Sequence, residues 1–238
     1  MNGLKALLFD KDGTLIHFDR TWGPAAGEVM RELAGDDPQA LRRLEEVSEY
    51  LPDEQRFLPS SPLVAGSSAH YGPQWAHCLG RDATDAFFSE IDRLFSREGL
   101  RALTPLGRPQ DVLAHFHGQG LKLGIVTNDA EANSRLQAEA LGLMPYLDLI
   151  HGYDSGFGSK PGPGMITAAA EALNVPPDSM AVIGDSTHDY AAAKAAGARF
   201  ILVRTGPAPV EPLLDVADMV VDSIDDLPRR LAGAAMPA

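Results

Sequence analysis

Residues 4–9, LKALLF, run straight into Asp10-Lys11-Asp12-Gly13-Thr14. An apolar run of that length, interrupted only by Lys5, suits a strand covered on both faces, and DKDGT is turn chemistry at its carboxyl end. The same grammar returns downstream. LKLGIVT (residues 121–127) ends at Thr127-Asn128, and MAVIG (180–184) ends at Asp185-Ser186-Thr187-His188-Asp189. Shorter apolar runs at 147–150, 200–203 and 218–221 read as further strands. Helical patterns fill the gaps at 108–120, 130–141, 163–173, 187–196 and 224–231, the third with Pro163 near its start. Strands alternating with helices specify the α/β class: a Rossmann-like parallel sheet flanked by helices. The closing AGAAMPA reads as a frayed end.

Between the first strand and the second the texture changes. GEVMRELAG, PQALRRLEEVSEYL and ATDAFFSEIDRLFSREG carry polar and apolar residues at helical spacing, and Pro and Gly separate them. No strong strand pattern appears there. The expected organisation is a catalytic α/β core of residues 1–17 and 101–238, interrupted by an all-helical cap of residues 18–100.

Composition narrows the function. The 238 residues carry 33 Asp and Glu against 20 Lys and Arg, a net charge of −13. That balance argues against broad binding to nucleic acid or to an anionic membrane. An anionic substrate then needs local positive charge from a metal or a few lysines. No apolar run is long enough to span a bilayer, and the amino end has too short an apolar stretch for a secretory signal. A cytoplasmic, unprocessed protein is expected. The single cysteine, Cys78, excludes an intramolecular disulfide and reads as a small buried hydrophobe or a half-exposed helix residue.

In a parallel α/β sheet, ligands sit beyond the carboxyl ends of the strands. Those ends carry Asp10, Asp12, Thr127, Asn128, Asp185 and Asp189, and the loop before the Pro163 helix carries Lys160. Phosphoryl transfer needs this assortment. A carboxylate can attack phosphorus as a nucleophile. Its charge repels the phosphate, so a hard cation held by carboxylates, together with a lysine, must neutralise both. A second acid must protonate the leaving alkoxide and later deprotonate water.

Taken singly, each piece has a plain structural reading. DKDGT can be an Asx-turn, Thr127 a helix cap, Lys160 a solvated loop lysine, and Asp185 and Asp189 acids at a helix N-terminus. Their joint order, each at a strand end or loop, favours the chemical reading. The histidines give no zinc pattern: His151 and His188 have no partner at ligand spacing, and His115 and His117 point to different helix faces.

Asp10-Lys11-Asp12-Gly13-Thr14, Thr127-Asn128, Lys160-Pro161 and GDSTHD, in this order, resemble the four motifs of the haloacid dehalogenase superfamily, over about residues 1–20 and 101–230. The resemblance implies Asp10 as nucleophile and Asp12 as general acid and base. It implies Mg²⁺ held by the Asp10 carboxylate, the Asp12 main-chain carbonyl and Asp185, with Asp189 supporting from the outer shell. Thr127 and the Asn128 N–H would bind phosphate, and Lys160 would neutralise nucleophile and phosphate.

Enzymes of that superfamily that cleave carbon–halogen bonds lack the second acid of the first motif. Asp12 therefore points to phosphate esters, because an alkoxide needs a proton and a halide does not. The position of the helical insertion resembles the family's small cap, and Thr127 and Lys160 stand too close for a large cap between them. The overall pattern resembles phosphoglycolate phosphatase-like proteins, which implies a small phosphorylated metabolite as substrate and a monomer or homodimer. Lys11 departs from that pattern, since many such enzymes carry an apolar residue there. It reads either as a solvated turn lysine, the reading its residue type favours, or as a charge near the entrance that draws anions. Arg20 and Arg56 are candidates for meeting a substrate carboxylate. Trp22, Tyr71 and Trp75 are candidates for the pocket wall or the cap core. Two other readings stay open: a phosphosugar mutase using the same phosphoenzyme, and a non-catalytic binding protein that keeps the fold.

Overall fold

The apolar run at the amino end becomes β1 (Ala6–Phe9), buried along its whole length, in a computed structural model that describes residues 3–65 and 68–233. The chain then passes through α1 (Phe18–Ala34), α2 (Pro38–Val47), two short strands β2 (Tyr50–Leu51) and β3 (Arg56–Phe57), α3 (Pro62–Ala65), α4 (Ser68–Leu79) and α5 (Asp85–Arg101). It continues as α6 (Pro109–Gly118), β4 (Lys122–Val126), α7 (Glu131–Ala140), β5 (Leu149–His151), α8 (Gly164–Leu173) and β6 (Met180–Gly184). The last elements are α9 (Thr187–Ala196), β7 (Arg199–Val203), β8 (Met219–Val221) and α10 (Leu227–Gly233). The chain forms two compact units, Met1–His17 with Pro105–Ala238, and Phe18–Thr104. The second boundary falls at Thr104 rather than residue 100 because α5 carries the helical unit through Arg101.

In the α/β unit, six strands form one sheet in the order β5-β4-β1-β6-β7-β8, and every pairing is parallel. Burial follows the sequence pattern: β1 and β6 are buried throughout, and β4 beyond its first residue. Strands between two helical layers must be apolar on both faces, so they show runs rather than alternation. Ala6 and Leu8 of β1, Val126 of β4, Val182 of β6 and Leu202 of β7 pack with Met165, Ile166 and Ala169 of α8 and Ala192 and Ala193 of α9. The small side chains of α9 let that helix lie close to β6 and β7.

The topology fixes where chemistry can occur. The chain adds β4 and β5 on one side of β1, then crosses to add β6, β7 and β8 on the other. The order therefore reverses at β1, and a crevice opens beyond the carboxyl ends there. The register places Phe9 opposite Ile125 of β4 and Ile183 of β6. The residues just after these three strands consequently emerge side by side.

The helical unit has its own core, with Phe18, Val29, Met30, Leu44, Tyr50, Phe57, Trp75, Phe87, Ile91 and Leu94 buried together. Tyr71 and Trp75 belong to this core and Trp22 packs against it. Trp75 is fully enclosed and its Nε1 donates to Ser48 Oγ at 2.9 Å, which satisfies its one polar atom. The unit is not wholly helical, as β2 and β3 pair antiparallel through Tyr50–Phe57 and Leu51–Arg56. Two residues per strand are too few for alternation to register in a sequence. Helix α4 is also hidden from pattern reading, because Gly72 and Pro73 lie inside it. Pro73 falls near the middle of that helix, and Tyr71, Trp75 and Cys78 supply a buried face that outweighs propensity.

Of the expected frayed end, Ala232 and Gly233 complete α10, and residues 234–238 lie outside the described residues. No helix among the described residues is long and apolar enough to cross a membrane.

Candidate active site

Asp10 follows β1 directly, and its side chain is almost entirely withdrawn from solvent. Lys160, which lies 150 residues further along the chain, reaches it: Nζ donates to Asp10 Oδ1 at 2.5 Å. The same ammonium donates to Asp189 Oδ1 at 2.6 Å and to the Val126 carbonyl at the end of β4 at 3.0 Å. Three acceptors around one buried ammonium match its three N–H bonds. Burial by itself would lower the Lys160 pKa, but the Asp10 and Asp189 carboxylates more than reverse this and hold it above the ordinary lysine value. The lysine is therefore a fixed positive charge at neutral pH.

Two further acids complete the cluster. Oxygens of Asp10, Asp185 and Asp189 lie within 4.8 Å of one another, and all three residues are buried. Asp189 occupies the third position of α9, where it forms a capping box with Ser186. Asp189 Oδ2 accepts from Ser186 N at 3.1 Å and from Ser186 Oγ at 2.6 Å, and Asp189 N donates back to Ser186 Oγ at 3.3 Å. One Asp189 oxygen thus serves the helix end and the other serves Lys160. The structural reading of this residue, an acid at a helix N-terminus, therefore holds, and the same side chain also joins the cluster around Lys160.

Asp185 is held by shape. Gly13 has φ +85°, and a Cβ there would stand 2.7 Å from Asp185 Oδ2. At Gly206 a Cβ would stand only 1.6 Å from the same oxygen. Only glycine at both places leaves room for the carboxylate. The Thr205 hydroxyl donates to the Gly13 carbonyl at 2.6 Å and ties the loop after β7 to the loop after β1.

The electrostatics of this group are unbalanced. Burial raises the Asp10 pKa to about 7 despite Lys160, with Asp189 and Asp12 adding to the rise. Burial also lifts Asp185 well above the usual carboxylate range, aided by the charges of Asp10 and Asp189. One lysine does not neutralise three buried carboxylates. A hard divalent cation among their oxygens would do so, and Mg²⁺ favours such a donor set. The residues present fit that ion.

Thr127 follows β4, is buried, and its Oγ1 accepts from Asp129 N at 3.1 Å. Asn128 does something the sequence does not announce. Its Nδ2 donates to the Lys160 carbonyl at 2.9 Å and its Oδ1 accepts from Lys160 N at 2.8 Å. The backbone of the lysine is clamped from both sides.

Asp12 is not one of the three clustered acids; its carboxylate pairs with Lys11 at 2.7 Å. Lys11 corrects an expectation: it is neither a solvated turn residue nor an exposed charge, being only 2% exposed. Arg20 lies on an exposed face of α1, and Arg56 in β3 is paired at 2.7 Å with Glu54. Both belong to the helical unit. His151 is engaged with the Met165 carbonyl at 3.1 Å. Cys78 is buried, and burial pushes its thiol pKa up, which makes it a poor nucleophile.

A family model for haloacid dehalogenase-like hydrolases matches residues 4–197. The chain belongs to the haloacid dehalogenase-like hydrolase family. Its relatives within that family include a plasmid-encoded phosphoglycolate phosphatase of Cupriavidus necator, 38% identical over 97% of this chain and 94% of the relative. A phosphoglycolate phosphatase of Rhodospirillum rubrum is 31% identical over 85% of this chain and 80% of its own length. Among solved structures, a predicted phosphoglycolate phosphatase from Haemophilus somnus shares the fold with a TM-score of 0.71 at 19% identity, over 96% of this chain and 98% of that one. Family and relatives together make this haloacid dehalogenase-like hydrolase a phosphatase.

Proposed function

We propose that the enzyme hydrolyses a small organic phosphomonoester, with phosphoglycolate the first candidate, through a phosphorylated Asp10. The observation that carries this reading is the single ammonium of Lys160 shared by Asp10 and Asp189 beside Asp185. Lys160 opposes the effect of burial on Asp10 and holds one of its oxygens, which leaves the other to attack phosphorus. Asp10 attacks, the phosphorus–oxygen bond to the leaving group breaks, and Asp12 gives its proton to the departing alkoxide. Asp12 then takes a proton from the water that attacks the aspartyl phosphate. Thr127 and the main-chain N–H of Asn128 hold the phosphate oxygens, and Lys160 offsets charge on nucleophile and phosphate. Asp10, Asp185 and the Asp12 main-chain carbonyl would hold Mg²⁺, with Asp189 as outer support, and the ion would supply charge neutralisation at the phosphate.

The names of the two curated relatives favour phosphoglycolate among small phosphates and favour water over a sugar as acceptor. A panel of phosphomonoesters that includes phosphoglycolate, assayed for phosphate release with Mg²⁺, tests the substrate. Acid quenching with radiolabelled substrate tests the covalent step: label is expected on wild-type protein and none on Asp10→Asn. A panel with no turnover, or label retained by Asp10→Asn, overturns the reading.

A further inference from the structure

Beside the three clustered acids, Lys11, Asp129, Asn133 and Gln137 form a second polar network that takes no part of its own in the reaction and meets it only at Asp12. Lys11 Nζ donates to Gln137 Oε1 at 2.7 Å and pairs with Asp12 Oδ2 at 2.7 Å and Asp129 Oδ2 at 3.0 Å. Asn133 Nδ2 donates to Asp129 Oδ2 at 2.6 Å, and the Ala130 N–H donates to Asp129 Oδ1 at 2.7 Å. Helix α7 thus turns Asn133, Ser134 and Gln137 inward, a polar face where helices of such a layer usually present apolar ones. An ammonium buried to this degree is costly unless it is well paired, as is any ion removed from water. A turn that needed only shape would have no use for this charge. The network makes sense if the lysine has a load to hold.

The load is Asp12. One of its carboxylate oxygens is tied to Lys11, while the side chain keeps 21% of its surface exposed against 3% for the lysine. A proton donor must meet the leaving oxygen at hydrogen-bond distance, and displacement by about 1 Å can cost on the order of a hundredfold. We propose that Lys11 is a positioning residue: braced by Asp129 and Gln137, it fixes the Asp12 carboxylate in the orientation from which it delivers a proton to the leaving group. The proposal rests on the assignment of Asp12 as that donor.

Leaving-group dependence separates this role from a general contribution to the fold. An alkoxide cannot depart without a proton, whereas p-nitrophenolate can. The readout is kcat/KM, which reports the step in which the leaving group departs. It is measured for p-nitrophenyl phosphate and for the alkyl ester that the wild-type enzyme cleaves fastest. The variant is Lys11→Met combined with Asp129→Asn, which removes the buried cation together with its second anion, so that the net charge of the network is unchanged and Asp12 loses its tie to Lys11. The ratio of alkyl to aryl kcat/KM is expected to fall about tenfold or more, in the same direction as in Asp12→Asn. If the double variant fails to fold, Lys11→Arg keeps the charge but displaces the donors, and the same bias is expected. A leaving-group bias in Asp12→Asn with an unchanged ratio in the Lys11 variants overturns the role of Lys11 and leaves that of Asp12 standing. No bias in Asp12→Asn overturns both.

Discussion

The Asn128 side-chain amide clamps the backbone of Lys160, giving a hydrogen bond to its carbonyl at 2.9 Å and taking one from its N–H at 2.8 Å. The loop backbone is thereby tied to the residue after β4, and the ammonium it carries reaches Asp10 and Asp189.

Asn128→Ala removes both bonds and leaves the lysine's charge in place. The expected result is a fall in kcat of about tenfold to a hundredfold, as for other losses of alignment. Steady-state phosphate release checks it. Unchanged kcat would mean that the loop is held well enough by its other contacts.

Asp10→Asn and Lys160→Met should part company in stability while agreeing in activity. Each should lower turnover by about a thousandfold or more, through loss of the nucleophile or of the charge that offsets it. Lys160→Met leaves the buried carboxylates facing one another and should cost about 3 kcal/mol or more of stability in metal-free buffer. Asp10→Asn leaves Lys160 paired with Asp189 and removes one carboxylate from an over-acidic group, so its Tm in that buffer should not fall. Thermal denaturation of the three proteins without metal distinguishes them. A lower Tm for Asp10→Asn than for Lys160→Met would contradict the charge balance drawn here.

Gly206→Ala tests the seat of Asp185. The new methyl would overlap the carboxylate, which must move away. The Mg²⁺ concentration for half-maximal activity is expected to rise at least about tenfold, the scale of other disturbances to metal ligands. Calorimetric titration with Mg²⁺ gives the same comparison without turnover. An unaltered midpoint would remove Asp185 from the proposed ligand set.

The helical unit carries a pH signature of its own. Glu98 is buried, which alone would raise its pKa, but Arg97 at 2.6 Å and Arg101 at 3.2 Å outweigh this and hold it below its ordinary value of 4.5. A depressed carboxyl stabilises the fold above its unfolded pKa and loses that contribution as pH falls through the folded value. Glu98→Gln should therefore lower Tm at pH 7, and the gap to wild type should close as the pH is taken below about 4.5. A gap that stays constant with pH would assign the effect to packing instead.

Much of this molecule is legible in the chain. The runs at 4–9, 121–127 and 180–184 announce buried parallel strands because strands covered on both faces cannot alternate, and β1, β4 and β6 lie there. Asp10, Thr127 and Asp185 could be picked out because the carboxyl ends of such strands are where ligands bind. The same reasoning misjudged Lys11, since lysine is usually exposed and two of its three partners, Asp129 and Gln137, lie more than a hundred residues along the chain. It missed the side chain of Asn128 for a similar reason: the group it clamps is a backbone, which carries no residue-type signal. It also missed helix α4, where Gly72 and Pro73 suggest a break and only the burial of Trp75 and its neighbours holds the helix.

The order of elements in the α/β unit, its parallel sheet and the identity of the strand-end acids were determined by sequence alone, because local periodicity and turn chemistry are properties of neighbours along the chain. Which acid faces Lys160, which faces Lys11, and how much uncompensated negative charge lies between them were decided only by tertiary structure. Coulombic energy and desolvation depend on distances through space, and residues 10, 160 and 189 become neighbours only when the sheet brings its strand ends together.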